Sequence, residues 1–112
     1  MKNTISLNKN EQYLKVYKFG KRSYHKFFTL YYLPNGMEIN RLGFKVGKKL
    51  AKAVKRNRMR RLLRESYRLL EDRIEAGYDM IISAKDGSLD TDCYHDASKI
   101  VYSMLDRAKL IK

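Results

Sequence analysis

A chain of 112 residues with 44% hydrophobic content fits one compact domain, 1–112, and has enough apolar side chains to bury a real core. Its net charge of +13 demands an anionic partner, its single cysteine, Cys93, excludes an internal disulfide, and no apolar run nears the roughly 18 residues of a membrane span. The imbalance is local: residues 1–64 hold 18 basic and 2 acidic side chains, whereas 65–112 hold 7 and 10.

Met1–Asn10 is polar and lacks the apolar core of a secretory signal, so a reducing, cytoplasmic setting with no membrane partner is expected. Asn8 to Glu11 make a helix start and Gly20 a stop, which predicts a short helix over Glu11–Phe19. Tyr13 and Tyr17, four apart, share one face of it, with Val16 beside them. Phe27–Leu33 is rich in aromatic and β-branched residues and predicts a strand, broken by the turn chemistry of Pro34-Asn35-Gly36. Period-2 alternation puts Phe28, Leu30 and Tyr32 on one face and Phe27, Thr29, Tyr31 and Leu33 on the other. A second strand, Ile39–Val46, sets Leu42, Phe44 and Val46 against Arg41, Gly43 and Lys45. The two are expected to pair as a hairpin, one face on a core and the other lining an aromatic, basic groove.

A helix is expected from Asn57 to about Glu75, with Met59, Leu62, Leu63, Ser66, Leu70 and Ile74 forming its core stripe. Asn57, Arg60, Arg61, Arg64 and Arg68 fall on the opposing side. Gly77 ends that helix, and Tyr78–Ala84 reads as a buried strand, giving a βαβ unit with a parallel pair. Asp86–Asp92 is a polar loop whose Asp90, Thr91 and Asp92 can cap a last helix, buried through Ala97, Ile100, Val101, Met104, Leu105 and Ala108.

Enzymatic chemistry has thin support. Glu71, Asp72, Glu75 and Asp79, like Asp86, Asp90, Asp92 and Asp96, sit at helix ends where capping accounts for them. Cys93 and His95 have no second ligand pair for zinc, His25 stands alone, and no glycine-rich phosphate loop is present. No metal, cofactor or small-molecule substrate is therefore expected for the protein alone. What remains is recognition: eleven Lys or Arg residues lie between Arg41 and Arg64 without one carboxylate. Guanidinium forks grip phosphate oxygens, Asn57 can bond bases or sugars, and Tyr13, Tyr17, Tyr31 or Phe27 can stack unpaired bases. RNA is favoured over duplex DNA. A ribosomal or other structured-RNA protein shares this composition, and an autonomous metal-dependent nuclease would need Asp79 or Asp86.

Lys52-Ala53-Val54-Lys55-Arg56-Asn57-Arg58-Met59-Arg60-Arg61-Leu62-Leu63-Arg64-Glu65 closely resembles the Arg-Asn-Arg motif of the bacterial ribonuclease P protein subunit. The likeness extends to Glu11–Gly20, to Phe28 and Leu30, and to Leu42–Val46 with Lys48-Lys49, nearly the whole chain. It implies an α/β (α+β) two-layer sandwich in the order αβββαβα, with a four-stranded mixed sheet, an extra short strand near Lys21–Tyr24 and a left-handed βαβ crossover. It also implies a protein that binds the catalytic RNA and the 5′ leader of precursor tRNA in a tRNA-processing endoribonuclease. The phosphodiester would be hydrolysed by the RNA with Mg²⁺ that the RNA mainly holds. Residues implied for the catalytic RNA are Arg56, Asn57, Arg58, Arg60, Arg61 and Arg64, with Arg68 completing the stripe. Those implied for the leader are Tyr13, Tyr17, Thr29, Tyr31 and Lys45.

Overall fold

The computed structural model of the chain describes residues 3–47, 52–85 and 97–112. The polar loop, its capping residues, Lys48, Lys49, Cys93 and His95 lie outside them. The elements are β1 (Thr4–Ser6), α1 (Asn10–Phe19), β2 (Lys21–Tyr24), β3 (Phe28–Pro34), β4 (Asn40–Lys45), α2 (Ala53–Leu70), β5 (Tyr78–Ala84) and α3 (Ala97–Arg107), with a 3₁₀ turn at Glu71–Arg73. One mixed sheet runs β1-β4-β5-β3-β2. The four strands implied by the resemblance are all present, β2 among them, and β1 is an addition. Its three residues pair parallel with β4, Thr4 opposite Asn40 and Ser6 opposite Leu42, in a stretch too short and polar to announce itself.

The expected hairpin does not form. β3 pairs antiparallel with β5, from Phe28 opposite Ala84 to Pro34 opposite Tyr78, and β4 pairs parallel with β5, Leu42 opposite Met80. The turn at Pro34–Gly36 does reverse the chain, but the five residues before β4 are long enough to clear two strand spacings of about 4.8 Å each. β5 fills the gap because Met80, Ile81 and Ile82 are all buried, and a run that is apolar on both faces belongs at a sheet's centre.

Strand parity is as expected. Phe28, Leu30, Leu42, Val46, Met80 and Ile82 meet Met59, Leu63 and Tyr67 of α2 and Ile100, Val101, Met104 and Leu105 of α3 in the main core. On the other face, α1 lays Val16 against Ile81 and Leu7, with Tyr13, Tyr17, Tyr31 and Leu33 around them. The α2–α3 layer on the sheet is thus the sandwich, and α1 lies alone on the opposite face. Phe27, given to the α1 face by alternation, packs on the main core instead, since it precedes the strand proper.

α2 begins at Ala53, four residues before Asn57, and ends at Leu70 rather than near Glu75. Beyond the 3₁₀ turn, Ile74 bridges Ile111, and the Glu75 amide donates to the Leu110 carbonyl at 2.7 Å, drawing the chain out of the helix. Gly77 is therefore no helix cap. At φ 94° it turns the chain into β5, where a Cβ would come within 2.9 Å of the Met37 carbonyl.

Tyr67, absent from the expected core stripe, is wholly buried on α2. Its hydroxyl meets Thr4 Oγ1 at 2.9 Å and accepts from Asn40 Nδ2 at 3.3 Å. Asn40 also donates to the Glu75 carbonyl and accepts from the Tyr78 amide, so one polar knot joins β1, β4, α2 and β5. Beside it, Arg41 grips Asp79 through two 2.7 Å hydrogen bonds, and Asn35 Nδ2 donates to the same carboxylate at 3.0 Å. Buried Asp79 is thereby paired, as a buried charge must be.

Candidate nucleic-acid interface

The α1 face of the sheet is only partly covered, and the uncovered part is the groove. Tyr17 sits edge-on to Tyr31, ring centroids 4.8 Å apart, and Tyr13 lies 6.5 Å from Tyr17. Arg22, on β2 opposite Tyr31, places its guanidinium 5.3 Å from that ring's centre. Tyr13, Tyr17 and Lys45 line an open depression of about 350 Å³ with Asn10 and Leu14. Four of the five leader residues implied by the resemblance therefore gather at one place. Thr29, the fifth, is 5% exposed; it lies in the same cross-strand row as Lys45, with Ser83 of β5 between, and belongs to the groove's floor.

Burial, with Tyr31 and Tyr13 alongside, pushes the Tyr17 hydroxyl up to about 12. That hydroxyl oxygen is buried without a hydrogen-bond partner. Its neighbourhood is amphipathic: aromatic rings for stacking, an orphan polar atom, and exposed Lys45 at the rim.

The basic stripe of α2 is not uniform. Its first turn carries no acid, so the helix's positive end adds to the cations there. Asn57, Arg58, Arg61 and Arg64 are exposed, whereas Arg56 and Arg60 are half-buried. Arg60 donates to Asn57 Oδ1 at 2.9 Å and reaches the Val46 carbonyl at 3.4 Å, which stiffens the Arg-Asn-Arg segment against β4. The Arg64 guanidinium lies 5.5 Å from the Phe44 ring centre. Arg68 is engaged with Glu65 and holds that carboxyl below its ordinary range, so the stripe's far end is partly neutralised. Arg58 and Arg61 flank Leu62 and the same Glu65 on the outer side.

The two surfaces touch. Arg60 and Arg64 share a shallow recess with Ser6, Phe44, Gly43 and Tyr13, and Tyr13 also walls the depression with Tyr17 and Lys45. Gly43 makes this possible, since a Cβ there would collide with the Tyr13 hydroxyl and come within 2.7 Å of its ring. The sequence missed Arg22, Phe44 and the role of Gly43, each visible only once register and helix docking are known.

Fold and site together define a small basic α+β protein with a cationic helix continuous with an aromatic groove, a surface suited to single-stranded polyanions. A family model for ribonuclease P matches residues 1–109. The ribonuclease P protein component of Caldanaerobacter subterraneus subsp. tengcongensis is 38% identical over 104 residues, 93% of this chain and 89% of the relative. That of Alkaliphilus oremlandii is 40% identical over 111 residues, 99% and 96% respectively. The Staphylococcus aureus RNase P protein structure superposes with a TM-score of 0.88 at 29% identity, covering 96% of this chain and 97% of that one. The Thermotoga maritima protein gives 0.80 at 26% identity, covering 90% and 96%. The chain belongs to the ribonuclease P protein family, the protein components of a tRNA-processing ribonuclease.

Proposed function

We propose that this chain is the protein subunit of a ribonuclease P ribonucleoprotein, binding the catalytic RNA through α2 and the 5′ leader of precursor tRNA in the α1 groove. The observation that carries the reading is the shared wall at Tyr13, which joins the cations of α2 to the tyrosines of the groove. Two RNAs that repel one another can then be held side by side, their phosphates screened by one positively charged surface. Arg56, Asn57, Arg58, Arg60, Arg61 and Arg64 face the catalytic RNA, with Arg68 a lesser contact because Glu65 already occupies it. Tyr13, Tyr17, Tyr31 and Lys45 take the leader, above Thr29.

Hydrolysis of the phosphodiester belongs in this reading to the RNA. Among the described residues no three His, Cys, Asp or Glu side chains are grouped to hold a metal ion. The protein's contribution is affinity and position.

Reconstitution with the catalytic RNA and a leader-dependent cleavage assay tests this. Replacing a stacking tyrosine costs about 1–3 kcal/mol per base. Tyr17→Ala is therefore expected to weaken leader-bearing precursor roughly 5- to 140-fold relative to mature tRNA. Arg60→Ala with Arg64→Ala should instead weaken assembly with the catalytic RNA. Equal losses on both substrates from Tyr17→Ala would remove the groove assignment.

A further inference from the structure

A second aromatic and basic cleft, of about 460 Å³, lies where the end of β3, the start of β5, the start of β2 and the end of α3 converge. Tyr32 and Tyr78 form one wall, edge-on with centroids 6.4 Å apart, and Phe19, 63% exposed, stands at the rim. Lys21, Arg107 and Lys109 line it too, and no carboxylate does. It is separate from both surfaces above. Tyr32 points to the α3 side of the sheet, opposite Tyr31, and the cleft sits at the Pro34 end of β3, away from Thr29.

Of the three cations, Arg107 is committed elsewhere, its Nη1 donating at 2.8 Å to the carbonyl of Tyr24, at the far end of β2 from Lys21 and outside the cleft. Lys109 has φ 61°, the left-handed region that favours glycine, at the turn closing α3, where the Leu110 amide donates to the Leu105 carbonyl. It is the one non-glycine residue with positive φ among those described, and its side chain lines the cleft.

We propose that this cleft binds one unpaired nucleotide of an RNA strand, the base against Tyr32, Tyr78 and Phe19 and the phosphate on Lys21 and Lys109. The proposal rests on the RNA-binding reading above and adds a third contact surface to it. Duplex RNA buries its base faces, so an aromatic wall ringed by cations selects an unpaired residue. A cleft of this size suits a single nucleotide.

The chain has no tryptophan, so Phe19→Trp installs a lone indole at the rim. Titration of that variant with single-stranded tetra-adenylate is expected to give saturable quenching. Adding Lys21→Gln and Lys109→Gly should weaken it at least 10-fold and lower the log–log salt slope by about 0.7, the share of one phosphate. Because glycine suits the backbone at 109, an unchanged or raised thermal midpoint shows that the fold is intact. Adding Tyr17→Ala should leave the quenching alone. Absence of quenching, equal quenching by an abasic ribose-phosphate tetramer, or its loss with Tyr17→Ala would overturn the proposal.

In the reconstituted holoenzyme, Lys21→Gln with Lys109→Gly should weaken either the catalytic RNA or the precursor, which identifies the strand bound. No change in either also overturns it. The oligonucleotide titration uses the chain alone, so quenching that persists while Arg60→Ala with Arg64→Ala spares assembly would count against the subunit reading and not against the cleft.

Discussion

Tyr17 combines a stacking ring with a buried hydroxyl that nothing satisfies. Its folded pKa of about 12 lies above the ordinary 10, so the folded state keeps the phenolic proton while the unfolded chain releases it. The stabilisation from this group is full below pH 10 and is lost as pH rises toward 12. Tyr17→Phe should therefore be no less stable at pH 7, and its advantage over the parent should widen in urea melts between pH 9.5 and about 11.5. A constant difference across that range would refute the assignment. At this scale the sequence was informative where geometry is local: four-residue spacing paired Tyr13 with Tyr17, and strand parity put Tyr31 on their side. It was silent on Arg22, whose stacking on Tyr31 depends on a register between β2 and β3 that no local pattern specifies.

Among the elements, β1 shows how a few polar atoms can dock a segment. Three residues of strand gain little alone, yet Thr4 meets the buried Tyr67 hydroxyl, and the Leu7 amide donates to the Leu42 carbonyl at 2.9 Å. Tyr67→Phe strands Thr4 Oγ1 and should cost about 1–3 kcal/mol in a urea melt. It should also speed hydrogen exchange at the Leu7 amide; unaltered exchange there would mean that β1 docks without the knot. The helices and the three longer strands were legible from periodicity, whereas partners were not. The turn at Pro34–Gly36 suggested a hairpin because the strand that intervenes lies more than forty residues downstream of it, and Tyr67 escaped notice because it lies about 80° around the helix from Met59, at the edge of the apolar stripe.

For the whole molecule the segregated charge governs behaviour. An interface engaging about 6 phosphates gives a log–log dependence of affinity on salt with a slope of roughly −4 to −5. Filter binding of the catalytic RNA across a salt series checks this, and a nearly flat response would mean that the cations of α2 face solvent. The sequence already pointed to a polyanionic partner, since eleven cations without a carboxylate leave few alternatives. That the helix and the groove form one continuous surface was hidden, because their junction is a tertiary contact of Tyr13 with Gly43.

The central place of β5 also governs when the molecule can assemble. Both halves of the sheet, β2 with β3 and β1 with β4, are joined only through a strand that is made after every residue of the arginine helix. Pairings of such long sequence separation form late and slowly. During synthesis the ribosome therefore releases the most cationic part of the chain before any complete sheet exists to carry it. In that interval the helix is a bare polycation beside ribosomal RNA, and early capture by a polyanion competes directly with folding.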